Sequence, residues 1–422
     1  MKLPMFTASI LAVAVSSAPV MAQESTEADE IQQKFQNALE MRAGGDLYSA
    51  IEALNSILIA EPKLHRARLE LAVTYYRAAQ FTKAVDLAKQ VMADPETPAN
   101  VKETVQLFLD QVEALKVAES ERRHSFSGGF GIGGGHDDNV NAGPSSEIFD
   151  INGAELSLAP GSSPQTDAFM TISGNISHSY RMPGSVDLGA RPVMAFWQSN
   201  ASVYRREYQD EHKFTVDVIS ASTGLALISR TNWRAKVNLQ MDHIRLEDDS
   251  LAVYTSLNPS WTYNDGDGNE YTVRGQWLYR DYKQSDDTDR EGHRVAGGVD
   301  YAHRFDNSMV LQAGLTATEQ DAREQDQRYS AYDGYVSLFV PTWERGNAYV
   351  RAAYKHTDYE GRVVLFDDGR KEREQRYTLG LTHNFADGWT AGANYTYTDN
   401  SSNIEIYEYD RNEVSVDLNK RF

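Results

Sequence analysis

Cysteine is absent from all 422 residues of the chain. The protein therefore has no disulfide, no thiolate nucleophile and no cysteine-ligated zinc or iron–sulfur site. Positive charge is also scarce, because 41 Lys and Arg stand against 61 Asp and Glu and give a formal net charge of −20. Nucleic-acid binding needs clustered Lys and Arg that neutralise phosphates, so the composition argues against a nucleic-acid partner.

Long hydrophobic runs are missing as well. No stretch approaches the roughly 20 consecutive apolar residues that a membrane-spanning helix needs. The apolar segment from Phe6 to Val15 follows Lys2, and Val20 and Ala22 occupy the small-residue positions beyond it. This order is typical of a secretory signal peptide, so we expect residues 1–22 to be cleaved off after Ala22. The mature chain is then expected to leave the cytoplasm of a bacterium.

Aromatic residues are scarce in the first 124 residues, which contain three of the 23 Tyr and none of the 6 Trp. Good helix formers dominate there instead. A 34-residue repeat aligns Ala50 with Ala84 and Leu54 with Ala88, and Pro62 ends the first repeat. This pattern resembles the tetratricopeptide family, with repeats at about 31–64 and 65–98 and a capping helix over 99–118.

The resemblance implies an all-α tetratricopeptide-repeat domain over residues 27–120. Such domains have no chemistry of their own, and their concave grooves bind a peptide or a partner domain. Tyr75 and Tyr76 are the candidate residues of a substrate groove. The alternative is that one of them is a core residue and the other a surface residue.

After residue 124 the hydrophobic period changes from 3.6 to two. In the last segment Val414, Val416 and Leu418 alternate with Ser415 and Asp417. The alternating segments exceed the usual strand of about 5–6 residues. Their lengths suit a tilted membrane strand of about 9–11 residues with its rims. The sequence therefore predicts an outer-membrane β-barrel over residues 125–422 rather than a soluble sandwich.

The alternation predicts fourteen antiparallel strands, an even number that closes a single-chain barrel with both termini on one side. The strands are expected near 125–135, 167–181, 187–205, 213–227, 233–246, 251–263, 270–283, 292–305, 309–320, 329–340, 347–358, 373–385, 389–399 and 412–422. Every second connection is short, and we expect these turns to face the periplasm. Because the helical domain precedes the first strand, we expect it in the periplasm too. The predicted fold class is thus an all-α domain followed by a 14-stranded antiparallel transmembrane β-barrel.

Motifs that would indicate chemistry lack their required context. Residues 129–134 match G-x-G-x-x-G, but no helix follows to hold a pyrophosphate. Residues 265–269 begin like a calcium loop, yet the glycine and glutamate required later in such a loop are missing. The ten His are scattered without ligand spacing. We therefore expect no enzyme activity and no catalytic, cofactor-binding or metal site.

Two local segments resemble the surface lipoprotein assembly modulator (Slam) family. Residues 131–141, which read GIGGGHDDNVN, look like the beginning of that family's barrel, and residues 409–422 are similar to its closing strand. The resemblance implies an outer-membrane translocon of type XI secretion. It would move surface lipoproteins, or related soluble haem- and metal-acquisition proteins, across the outer membrane.

The implied partners are an exported lipoprotein or soluble secreted protein encoded nearby, and outer-membrane lipid. The resemblance leaves open whether the barrel-insertion machinery and periplasmic chaperones take part. Gly131, Gly133 and Phe422 are the candidate residues of the barrel seam, because glycine weakens strand packing and a terminal aromatic resembles the assembly signal of outer-membrane barrels. An exopolysaccharide exporter and a diffusion porin are the alternative functions.

Overall fold

A computed structural model describes residues 25–422 except 79, 122, 152–153, 160, 184–185, 189–190, 230–231, 364–365 and 367. The predicted signal peptide, residues 1–22, lies outside the described residues. The chain divides into two compact units between Ala118 and Glu119.

The first unit is helical. Its five helices are α1 (Ser25–Ala43), α2 (Leu47–Ala60), α3 (His65–Arg77), α4 (Phe81–Ala93) and α5 (Ala99–Glu121). Helices α2 and α4 begin at residues 47 and 81, so they are offset by the 34 residues of the repeat. Asp46 caps α2 by accepting a hydrogen bond from the Ser49 N–H at 3.2 Å. In the described part of the chain, no helix is long and apolar enough to cross a membrane.

The core of this unit forms between successive helices. Leu54 and Leu71 are fully buried in a cluster that α1, α2 and α3 share. Ala50 and Ala84, which the repeat aligns, both have no exposed surface, so small side chains let the helices approach closely. The assignment of these helices to the tetratricopeptide family stays a prediction.

The second unit is built from antiparallel strands. Its described strands are β1 (His124–Asp137), β2 (Ile148–Ile151), β3 (Ala154–Ser157), β4 (Asp167–Arg181), β5 (Val186–Leu188), β6 (Arg191–Tyr208), β7 (Val216–Ser229), β8 (Trp233–Leu246), β9 (Asp249–Asn264), β10 (Asn269–Tyr282), β11 (Gly292–Arg304), β12 (Val310–Gln320), β13 (Tyr329–Trp343), β14 (Gly346–Val363), β15 (Asp368–Asn384), β16 (Trp389–Ser402) and β17 (Tyr409–Arg421).

Fourteen of these strands close into one barrel in the order β1, β4 and β6 to β17. Closure is made by β17, which pairs with β1 from Gly129↔Arg421 to Asp137↔Glu413. Strands β2 and β3 form a separate hairpin in the first long loop, and β5 extends the turn before β6. The predicted fold class is confirmed.

All fourteen predicted strands are present, but several are longer than expected at one end of the barrel. We call this end, where the long connections such as residues 138–166 lie, the long-loop end. Segments 359–372 and 400–411 were expected to be loops. Instead β14 continues to Val363, β15 begins at Asp368, β16 ends at Ser402 and β17 begins at Tyr409. Beyond the apolar belt a strand needs only backbone partners, so it can continue where the apolar alternation stops. A register shift between Asp358 and Arg362 accommodates the extension of β14.

Candidate functional site at the barrel seam

The strands present two different faces. In β17, Val414, Val416 and Leu418 are exposed on the outside, with Val416 59% exposed, whereas Ser415 and Asp417 point into the lumen. The other barrel strands follow the same alternation, with exposed apolar or aromatic residues such as Met170, Val299 and Leu315 outside. Polar and charged residues occupy the lumenal positions. This is the reverse of a soluble barrel, whose apolar side chains fill the interior.

The seam between β1 and β17 joins the two ends of the barrel chain. Beyond the paired residues of β1 and β17, two further backbone hydrogen bonds close the seam at the chain's last residue. The Gly128 N–H donates to the Phe422 carbonyl and the Phe422 N–H donates to the Gly128 carbonyl, both at 3.0 Å. The Phe422 side chain is largely exposed. A Cβ at residue 128 would lie 2.8 Å from its ring, so only glycine fits opposite the terminal aromatic.

Two glycines of β1, Gly131 and Gly133, face the lumen and admit close neighbours. A Cβ at Gly131 would collide with the Asn419 side chain and lie 2.8 Å from Ser173 Oγ. A Cβ at Gly133 would lie 2.7 Å from Thr171 Oγ1. Close packing therefore accounts for both glycines, and a larger residue at either position is expected to weaken the barrel itself. Whether they also make the seam soft stays a prediction.

A buried charge cluster fastens the seam at the long-loop end. Asp137 has no exposed surface and accepts hydrogen bonds from Arg411 Nε at 2.9 Å and from Arg411 Nη2. The Tyr208 hydroxyl donates to the same carboxylate at 3.2 Å. Arg206 donates to Glu413 at 2.7 Å, and Glu413 lies 3.6 Å from Arg411. Two carboxylates and two guanidinium groups thus balance one another, as buried charges must.

An aromatic cluster supports these charges. The Arg206 guanidinium stacks 3.6 Å from the centroid of the Phe169 ring, and that ring meets Tyr208 edge-on at 5.9 Å. Val140 is buried in the same apolar group. Strands β4 and β6 contribute these residues, so the cluster spans four neighbouring strands around the seam. Such contacts form only on the concave face of a curved sheet, where side chains from non-adjacent strands converge.

The turn that follows β1 is tied to the start of β17. Asp138 accepts from the Asn412 N–H at 2.6 Å and from its side-chain amide at 2.8 Å. The Asn139 side-chain amide donates to the Asp410 carbonyl at 2.8 Å and to the Gly143 carbonyl at 2.9 Å. These bonds join residues that are 271 and 274 positions apart in sequence, so the segments 131–141 and 409–422 form one structure.

The sequence singled out part of this site. Gly131, Gly133 and Phe422 lie along the seam. Arg206, Tyr208 and Phe169 were missed, because no local pattern marks a residue that reaches the seam from β4 or β6. The signal available was the change from a glycine-rich segment to the acidic and amide residues 137–139, which mark the end of β1.

The other two predicted site residues, Tyr75 and Tyr76, lie in the helical unit and are half-buried. Tyr75 packs against the core, with the Lys83 ammonium 5.5 Å from its ring centroid. Tyr76 packs against Phe81 and Phe108, with ring centroids 5.9 and 5.7 Å apart. Both rings thus have packing partners, and a role in a substrate groove stays a prediction.

The segments considered for cofactor and metal chemistry have structural roles. Residues 129–134 lie within β1. In the turn at 265–269, the Asp265 carboxylate accepts from the Asp267 N–H at 2.8 Å and from the Asn269 N–H at 3.2 Å. Desolvation raises the pKa of Asp265, but these bonds, together with one from the Asn269 side-chain amide at 2.6 Å, lower it below its ordinary value. Across the described residues, no three His, Asp or Glu side chains are grouped so that they could hold a metal ion.

Comparison with known proteins gives one family. The family described as "Protein of unknown function (DUF2860)" matches residues 251–420, less than half of the chain. No curated protein matches.

Solved structures of similar architecture are outer-membrane proteins. The OmpTdeltaL8 loop-deletion mutant of Vibrio cholerae OmpT has 7% identity and a TM-score of 0.42, covering 71% of this chain and 100% of that one. An anion-selective porin from Comamonas acidovorans has 9% identity and a TM-score of 0.41, covering 71% and 99%. A bacterial polysaccharide outer membrane secretin has 11% identity and a TM-score of 0.40, covering 70% and 98%. Likeness at this level does not extend to function.

Proposed function

We propose that the chain is an outer-membrane translocon that moves a partner protein outward through its barrel or through the opened seam. The observation that carries the proposal is the joining of residues 131–141 and 409–422 at the seam. Those segments carry the resemblance to surface lipoprotein assembly modulators, and their contacts with each other explain why both would be needed. The proposed cargo is a surface lipoprotein or a soluble secreted protein encoded nearby.

The membrane setting is supported by the outer surface of the barrel. Apolar and aromatic side chains face outward on the strands, and exposing them to water would be costly. A bilayer removes that cost, and closure of the barrel leaves no unpaired strand edge in the lipid. We propose that the long-loop end faces outward, which leaves both barrel termini on the periplasmic side.

The helical unit is proposed to recruit the cargo in the periplasm. Stacked helix pairs present side chains along a groove, and α1 to α4 form two such successive pairs. We propose that transport proceeds without enzyme chemistry. Removing residues 27–120 is expected to leave a barrel that inserts but delivers little cargo to the surface.

The natural absence of cysteine makes the seam directly testable. Ile132 and Leu418 face each other across the seam on its outer side. Replacing both with cysteine places a disulfide across β1 and β17, because opposed residues of antiparallel strands lie about 4.5–5.5 Å apart at Cα. The measurement is surface protease accessibility of the co-expressed neighbouring-gene product. We expect delivery to be lost when the disulfide forms and restored when it is reduced.

The control places the same bond away from the seam. Val299 and Leu315 are opposed on β11 and β12, also on the outside. Oxidation of that pair should leave delivery unchanged if the seam opens. Normal delivery by the barrel with the disulfide across its seam would show that the cargo passes through the closed lumen and not through an opened seam. Absence of any protein export, together with sugar conductance of the purified barrel in a planar bilayer, would favour the exporter or porin instead.

A further inference from the structure

Most arginines in the barrel lumen are paired with a carboxylate. Arg274 Nε lies 2.7 Å from Asp300 Oδ2, and Arg206 lies 2.7 Å from Glu413. Pairing of this kind is expected, since a charge removed from water needs a counter-charge or several hydrogen bonds. A buried lumenal arginine without a carboxylate partner is therefore informative.

Arg280 is such an exception, and the half-buried Arg294 beside it also lacks a carboxylate partner. Arg280 is only 8% exposed, and its Nε and Nη2 are buried without a hydrogen-bond acceptor. Arg294 donates from Nη2 to Gln276 Oε1 at 2.7 Å, but its buried Nε has no acceptor. Within the described chain, neither guanidinium forms an ion pair with Asp or Glu. Two positive groups therefore stand in the lumen with donors unused.

The two arginines are neighbours on one face of the sheet. Arg280 on β10 is opposite Gly292 on β11, and Leu278 is opposite Arg294. Arg280 and Arg294 are therefore diagonal neighbours across the β10–β11 pair, and long side chains can meet over that distance. On these strands Trp277 and Val295 face outward, so both arginines face the lumen.

Their surroundings are mainly uncharged. Leu278 and Ala252 are buried beside them, and Tyr254, which is opposite Arg280, shares a 2.9 Å hydrogen bond with the hydroxyl of Tyr282. Water molecules could accept the free N–H groups, but they would not offset two neighbouring positive charges. A bound anion does both, because its oxygens accept hydrogen bonds and its charge removes the repulsion.

We propose that Arg280 and Arg294 form a binding site for a single oxyanion, a carboxylate or a phosphate group, in the lumen near the long-loop end. The planar guanidinium presents parallel N–H donors that match two oxygens of such a group. The site is separate from the seam, and the proposal does not depend on what the barrel transports.

The test is the midpoint of thermal unfolding of the purified full-length protein in detergent at neutral pH. Sodium chloride is replaced stepwise by sodium acetate or sodium phosphate at constant ionic strength. An anion that binds only the folded protein raises the midpoint. We expect a rise of a few degrees for the wild type with at least one of the two anions, and a clearly smaller rise for Arg280→Gln.

The matched control is Lys236→Gln, which removes one lumenal charge on β8 and should keep the full response. General effects of phosphate or acetate on protein stability act on all three proteins alike and so cancel in the comparison. If Arg280→Gln does not fold, Arg294→Gln tests the same site. Equal responses in the wild type and in the arginine variant, or no response to either anion, would overturn the proposal.

The two anions also identify the source of the natural ligand. A response to acetate alone indicates a carboxylate, as in an acidic side chain or a chain terminus. A response to phosphate indicates a phosphate group, and short-chain phosphatidic acid then separates a lipid headgroup from free phosphate. A response to the lipid at a lower concentration than inorganic phosphate would assign the site to a headgroup.

Discussion

Replacing Asp137 with asparagine is expected to destabilise the barrel strongly. The substitution keeps the size of the side chain but removes the negative charge that faces Arg411 at 2.9 Å. Removing one partner of a buried ion pair leaves the other charge uncompensated and lowers the free energy of unfolding by about 3–5 kcal/mol. Two features place this case at the lower end of that range: Glu413 stays 3.6 Å from Arg411, and the Arg411 side chain is 26% exposed.

The assay is urea unfolding of the barrel refolded in detergent or lipid, followed by tryptophan fluorescence and by the heat-modifiable band on a gel. We expect a loss of about 3 kcal/mol for Asp137→Asn. The matched control is Asp242→Asn, because Asp242 is also a lumenal carboxylate but is bonded to Gln240 at 2.9 and 3.0 Å rather than to an arginine. Its loss should stay below about 1 kcal/mol.

A double-mutant cycle with Arg411→Gln separates the pair from its surroundings. Removing both partners should cost less than the sum of the single losses, by about 1–3 kcal/mol, because the double variant leaves no unpaired buried charge. Additive losses, or an Asp137→Asn loss equal to that of Asp242→Asn, would refute the idea that this ion pair fastens the seam.

Three further outcomes follow from the structure. Leu418→Arg, on the outer face, should cost about 2–4 kcal/mol in a bilayer, whereas Ser415→Arg, in the lumen, should cost less; equal costs would show that the two faces were assigned wrongly. Deleting Phe422 removes both terminal hydrogen bonds to β1, so the heat-modifiable barrel should form poorly in cells; normal assembly would dismiss the terminal residue as a signal. In the helical unit, the hydrogen bond from the Glu96 N–H lowers the pKa of Asp94, and His65 lies 3.2 Å away. The ionised Asp94 therefore stabilises the folded unit above the unfolded pKa, and this stabilisation is lost as the pH falls through the folded pKa. Asp94→Asn should reduce the acid sensitivity of the helical circular-dichroism signal.

The number and position of the barrel strands were predictable because the two faces of each strand meet different surroundings. Val414, Val416 and Leu418 repeat at two-residue steps, and a tilted membrane strand must keep that repeat across the apolar belt. Outside the belt the requirement disappears. The extension of β14 to Val363 could not be predicted for this reason, since polar residues suit a strand or a loop equally well there.

The candidate site was predictable only along the strand pair that closes the barrel. That β1 meets β17 follows from closure alone, so Gly131, Gly133 and Phe422 could be placed at the seam. The contact of Asp137 with Tyr208 depends on the register of β4 and β6 and on the curvature of the wall. The strand register and the curvature of the wall cannot be predicted from a local sequence pattern, because each is set by all fourteen strands together.

The seam is held together unequally along its length, and this limits how the proposed opening could occur. At the long-loop end side chains bridge it: Asp137 binds Arg411, and Asp138 binds Asn412. At the short-turn end the described contacts are mainly backbone bonds, with Phe130 reaching over β17 to the Trp389 ring at 5.7 Å. Backbone bonds can be exchanged for those of an incoming extended segment, whereas a buried ion pair cannot be broken without leaving a charge unpaired. The proposed lateral passage of a polypeptide would therefore begin at the end where both barrel termini lie, and the charge cluster would keep the opposite end of the seam closed.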